Sequence, residues 1–63
     1  MSPEQREALA IVMAREEAVE IWQGVVKEDT LIRTSHQDAL FIRHEALRAA
    51  KAHARNLGVV ITD

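Results

Sequence analysis

Few side chains in this sequence could do chemistry, and their spacing limits what they could do. His36, His44 and His53 are its imidazoles. On a helix they project at roughly 0°, 80° and 260°, so no two stand one turn apart on a common face, as a shared metal ion requires. His44-Glu45 starts like an HExxH zinc segment, but the second histidine is missing. The spacing sends His36 to a helix entrance, His44 to solvent and His53 to an interface edge, and no metal site is expected.

Nucleophilic catalysis has equally little to work with. The chain has no cysteine, and its two serines, Ser2 and Ser35, both stand where helix caps belong. Gly24 and Gly58 are too few and too far apart for a phosphate-cradling loop. Glu16, Glu17 and Glu20 form a carboxylate group that reads as a solvated acidic face. A chain this small encloses little volume for a small molecule, so neither enzymatic activity nor a cofactor is expected.

One constellation is left over. Phe41 lies beside Glu45, Arg48 and Ala52, with His44, Lys51 and Arg55 continuing a basic edge. An exposed aromatic among arginines is typical of the anchors that dominate protein–protein interfaces. The same side chains suit stacking on single-stranded bases while cations hold phosphates. Alternatively, Phe41 is covered by the C-terminal tail or by a second chain. The first use implies a protein partner, the second a nucleic-acid partner.

Two helices must position these residues. The first is signalled by Ser2 as cap, Pro3 at the first helical position and Gln5 as capping-box partner, with Glu4 and Glu7 at the positive end of the helix dipole. Ile11, Ala14, Ala18, Ile21, Trp22 and Val25 make one stripe; Val12, Val19 and Val26 make a second, heptad-spaced row. Together they cover roughly 200° of the helix, about twice the stripe of an ordinary surface helix. Arg6, Glu16, Glu17 and Glu20 take the solvent face. Met13 and Trp22 read as packing residues.

Gly24 and the polar run Lys27-Glu28-Asp29-Thr30 end this helix. Leu31-Ile32 then reads as a plug at the end of a bundle, or as a short strand. A second helix follows, capped by Thr34 or Ser35, with Gly58 as its left-handed terminator. Its seam is Leu40, Arg43, Leu47, Ala50, Ala54 and Leu57; Ala39, Ile42, Ala46, Ala49 and His53 flank it. The β-branched tail Val59-Val60-Ile61 forms either a strand or an apolar cover.

The expected architecture is all-α: an antiparallel hairpin in a single domain. The first helix spans 3–28, the connection 29–35, the second helix 36–56 and the tail 57–63. With the turn near Leu31, residues whose numbers sum to about 62 lie level, given equal rise in both arms. Glu7 then meets Arg55, and Glu20 meets Ile42 and Arg43. Arg43 would pack its stem in the seam and reach an acidic neighbour; Arg15 interrupts the first stripe similarly.

Sixty-three residues bury only about 60% of their unfolded surface when they fold alone. Without cysteine, disulfides and thiolate zinc cannot supplement that core, which leaves self-association. Two hairpins back to back bury both rows of each helix, predicting a homodimeric four-helix bundle. Residues 1–29 carry seven acidic and three basic side chains, a balance of −4; residues 30–63 carry three and five, a balance of +2. Complementary halves suit an acidic helix against a basic one and argue against a strongly basic nucleic-acid binder.

The longest apolar run, Ala8 to Ala14, is far short of the roughly 20 residues that span a bilayer. The charged start does not resemble a signal peptide. A cytoplasmic protein is expected, and the Ala- and Arg-rich composition suits a GC-rich bacterial or phage genome. Its function is then that of a small non-enzymatic interaction or regulatory protein acting as a homo-oligomer. The alternative is a nucleic-acid-binding regulator that uses the basic edge.

Overall fold

A computed structural model describes residues 1–28 and 34–62, with helices α1 (Pro3–Glu28) and α2 (Thr34–Asn56). The Leu31-Ile32 pair, read above as plug or strand, lies outside the described residues. No described residue is in a strand. Cross-helix contacts run in opposite order along the two helices: Gln5 meets Leu57, Glu16 meets Lys51, and Trp22 meets Arg43. The two helices therefore form an antiparallel hairpin.

The start of α1 follows from its first residues. Gln5 N–H donates to Ser2 Oγ at 3.1 Å while Ser2 N–H donates to Gln5 Oε1 at 2.8 Å, a reciprocal capping box. Gln5 does a second job, since its Nε2 donates to the Leu57 carbonyl at 2.7 Å. That carbonyl is one of the orphan acceptors at the end of α2, so one amide serves both helix ends. At the other end of the hairpin α2 starts two residues before the expected position 36, so Thr34 and Ser35, the two expected caps, are its first two helical residues.

The end of α2 depends on Gly58. At φ +87° its N–H donates to the Arg55 carbonyl, and Val59 N–H donates to the Ala54 carbonyl, both at 3.0 Å. These two bonds are the Schellman pattern, which turns the chain back over its own last helical turn. The tail is therefore a cover and not a strand: Val59 is buried against Ala8, Val12 and Ala54, and Ile61 packs on that cluster. Val60 points to solvent. Gly58→Ala is expected to cost about 1–2 kcal/mol, because an L-residue resists this backbone conformation. A new Cβ would meet only Gln5 Nε2 at 3.5 Å, an ordinary contact, so the cost is conformational and not a clash. Thermal unfolding at fixed protein concentration measures it.

The core is thin and lies near the open end of the hairpin. Ala54 is 0% and Val12 2% exposed; Ala8, Val19 and Val59 are the other buried apolar residues among those described. In α2 the seam lies inside, with Ala54 buried and Leu40, Arg43, Leu47, Ala50 and Leu57 half-buried. In α1 the Val12 and Val19 row takes the contact with α2, while Ile11, Ala14 and Ile21 of the other stripe stay exposed. Ala18, Trp22, Val25 and Val26 are half-buried. Met13, read as a packing residue, is also exposed.

Near the closed end Trp22 organises the contact. The Arg43 guanidinium lies 4.4 Å from its ring centroid, and the His36 ring meets it edge-on at 5.8 Å and 74°. Arg43 also donates from Nη1 to the Ala39 carbonyl at 3.1 Å. Its stem packs in the seam as expected, but its charge is held by an indole face and a carbonyl instead of by Glu20. The indole offers the larger and flatter surface to a planar cation already confined by the seam.

The hairpin is a rod of 45 × 17 × 14 Å with a radius of gyration of 13.7 Å. A compact domain of this length has a radius of about 11 Å. The long shape leaves two broad flanks to solvent.

A candidate interaction site on two opposite flanks

Rotation of 100° per residue divides the exposed residues between those flanks. On the first, the edge of α1 carrying Ile11, Ala14 and Ala18 meets the edge of α2 carrying Ile42, Ala46 and His53. Two shallow hollows between the helices mark this flank. One, of about 270 Å³, lies between Ile11 and Glu7 of α1 and His53 of α2, with Leu57 just beyond it. The other, of about 370 Å³, lies between Arg15 and Ala18 of α1 and Ile42, Arg43 and Ala46 of α2. Ile42 is 63% exposed here, and Ala14 and Ala49 are exposed at its margins; Ile21, 59% exposed, lies farther round α1, almost opposite α2.

The opposite flank holds the basic stripe. Phe41, His44, Arg48, Lys51 and Arg55 all line one open groove of about 640 Å³, together with Glu45 and Leu47. Every one of these residues belongs to α2. Phe41 is 64% exposed, so the tail does not cover it. Glu45 and Leu47 join the stripe by helical geometry; Leu47 reaches the groove from the edge of the seam.

The charges in this groove already have partners. Lys51 Nζ stands 4.0 Å from Glu16 Oε1 across the helix pair, and Arg48 Nη1 stands 3.5 Å from Glu45 Oε1 one turn away. Arg55 Nη2 reaches the Ile61 carbonyl at 3.5 Å. The Arg48–Glu45 pair is exposed and contributes little to stability, whereas Lys51 is half-buried beside Glu16. The Glu16–Lys51 pair was not foreseen, because the level rule places Glu16 about one turn away from Lys51.

The histidines end up apart: His36 on Trp22, His44 in the basic groove and His53 on the apolar flank. Among the described residues no three His, Asp or Glu side chains are grouped to hold a metal ion. Ser2 is engaged in its cap. No described helix is long and apolar enough to cross a membrane.

No family model, curated protein or solved structure matches this chain.

Proposed function

We propose that this chain is a small non-enzymatic interaction protein that works as a homodimer, two hairpins joined through their apolar flanks into a four-helix bundle. The observation that carries this reading is the surface it leaves uncovered. The chain exposes 4858 Å². A compact monomer of 7.1 kDa exposes about 4,100 Å². The surplus of about 800 Å² matches what one partner contributes to a standard stable interface.

The occupant that best fits the flank is a second copy. The flank runs along a rod 45 Å long, and its small residues Ala14, Ala18, Ala46 and Ala49 lie among Ile11 and Ile42. Such a surface is self-complementary under a two-fold axis, where each isoleucine can enter a gap beside the partner's alanines. The thin core gives the dimer a thermodynamic reason, since burying one isoleucine stabilises by about 1.5–3 kcal/mol. The groove on the opposite flank then faces outward on both sides of the bundle.

Sedimentation equilibrium of the intact chain at micromolar concentration tests the reading. A mass twice that of the chain is expected; a stable monomer overturns it. A nucleic-acid regulator would draw on the same basic groove, but Glu45 within it and Glu16 at its rim oppose a phosphate backbone.

A further inference from the structure

The groove on the outer flank has a spacing that specifies more than positive charge. Phe41, His44, Arg48, Lys51 and Arg55 follow one another at intervals of three, four, three and four residues. That is the spacing of a coiled-coil seam, on which side chains of a neighbouring helix interdigitate over successive turns. Here the seam carries an aromatic ring at one end and cations along the rest.

Accordingly, we propose that this seam docks an acidic amphipathic helix of a partner protein. Its carboxylates lie against Arg48, Lys51 and Arg55, and one apolar side chain covers Phe41. This rests on the reading of the chain as an interaction protein and names the chemistry of what it binds. From Phe41 to Arg55 the seam runs about 21 Å along α2, four turns of helix. A helix crossing at about 20° stays in register over that length, whereas a single carboxylate ligand would engage one cation only.

Charge complementarity favours an acidic helix over single-stranded nucleic acid. Glu45 lies in the groove with its side chain 47% exposed, paired to Arg48, and Glu16 pairs with Lys51 from across the hairpin. An incoming helix presents carboxylates at discrete points and can place them at the cations, displacing these pairs. A polyphosphate carries charge at every nucleotide and meets Glu45 along the way. Among the described residues of this groove Phe41 is the one exposed aromatic available for stacking, where single-strand binders line up several.

The probe is a fluorescein-labelled peptide of about 18 residues, which at 1.5 Å per residue spans the seam. It is built on Ala and Gln, with Glu at alternating three- and four-residue spacing and Leu at the end that meets Phe41. Anisotropy with the intact protein is expected to rise saturably for this peptide and not for its Lys-for-Glu counterpart. Arg48→Glu and Phe41→Ala are each expected to weaken binding at least about tenfold, while circular dichroism checks that the helices persist.

Three results overturn the proposal: no saturable binding of the Glu peptide, equal binding of the Lys peptide, or tighter binding of an oligothymidylate in the same buffer at about 0.1 M salt. Ile42→Glu separates this proposal from the dimer reading. It lies on the other flank, so peptide affinity is expected to stay unchanged whatever its sedimentation shows. Loss of peptide binding in that variant, with helicity intact, overturns the assignment to this seam.

Discussion

Ile42→Glu is expected to turn a dimer into a well-folded monomer. Ile42 is 63% exposed within one chain and lines the hollow beside Ala18 and Ala46, so the hairpin tolerates a carboxylate there. In the proposed interface the change occurs twice, because a two-fold axis presents the same residue from both sides. Losing the burial of two isoleucines, at about 1.5–3 kcal/mol each, weakens association by about a hundredfold or more. Desolvating the two carboxylates adds to this.

Sedimentation equilibrium across a hundredfold concentration range measures the shift, and circular dichroism monitors the helices. Phe41→Ser is the matched control, one residue away but on the opposite flank, and it is expected to leave the association constant unchanged. If Ile42→Glu remains a dimer while Phe41→Ser dissociates, the two flanks have been assigned the wrong way round.

The second large effect concerns the buried contact of the helices at Ala54. Ala54→Leu is expected to destabilise the fold by about 1–3 kcal/mol, since Ala54 is 0% exposed and touches the Ala8, Val12 and Val59 cluster. A domain of this size has roughly 3–9 kcal/mol of total stability, so the loss is a large share of it. The added carbons push α1 away from α2 next to the bond from Gln5 Nε2 to the Leu57 carbonyl, which then lengthens or breaks. At about 4–8 °C per kcal/mol, the melting temperature falls by roughly 5–20 °C. Ala52→Leu, on the exposed side of the same helix, is expected to be nearly neutral. Equal melting temperatures for the two variants would contradict the packing described here.

Local signals made much of this fold readable from sequence. Ser2, Pro3 and Gln5 announce the start of α1, and Gly58 announces the end of α2, because caps depend on residues within one turn. The seam of α2 from Leu40 to Leu57 follows from spacing alone. The inner row of α1 does not. Ile11 and Ile21 belong to the larger, more apolar stripe, yet Val12 and Val19 face α2. Close approach at Ala8 and Ala54 sets the separation between the helices, and small residues decide which row fits into it.

The remaining differences have equally specific causes. Val59-Val60-Ile61 has strand-like composition, but the left-handed turn at Gly58 sends Val59 into a gap over Ala54. The partner of Arg43 depends on a register offset of less than one turn, which places Trp22 under it instead of Glu20. Met13 is exposed because it follows Val12 by one residue, which turns it about 100° away from α2. For the candidate site, spacing on one helix was enough to gather Phe41, His44, Arg48, Lys51 and Arg55. Glu16, the counterion of Lys51, comes from the other helix and needed the three-dimensional register.

The forked amide of Gln5 has a consequence for how the molecule comes apart. One side chain completes the first turn of one helix and the last turn of the other, across 52 residues of chain. Fraying at either end breaks this shared bond and so weakens the other end, which couples the two openings. Amide protons in the first turn of α1 and in the final turn of α2 should therefore exchange in step, like the two leaves of a door on a single latch.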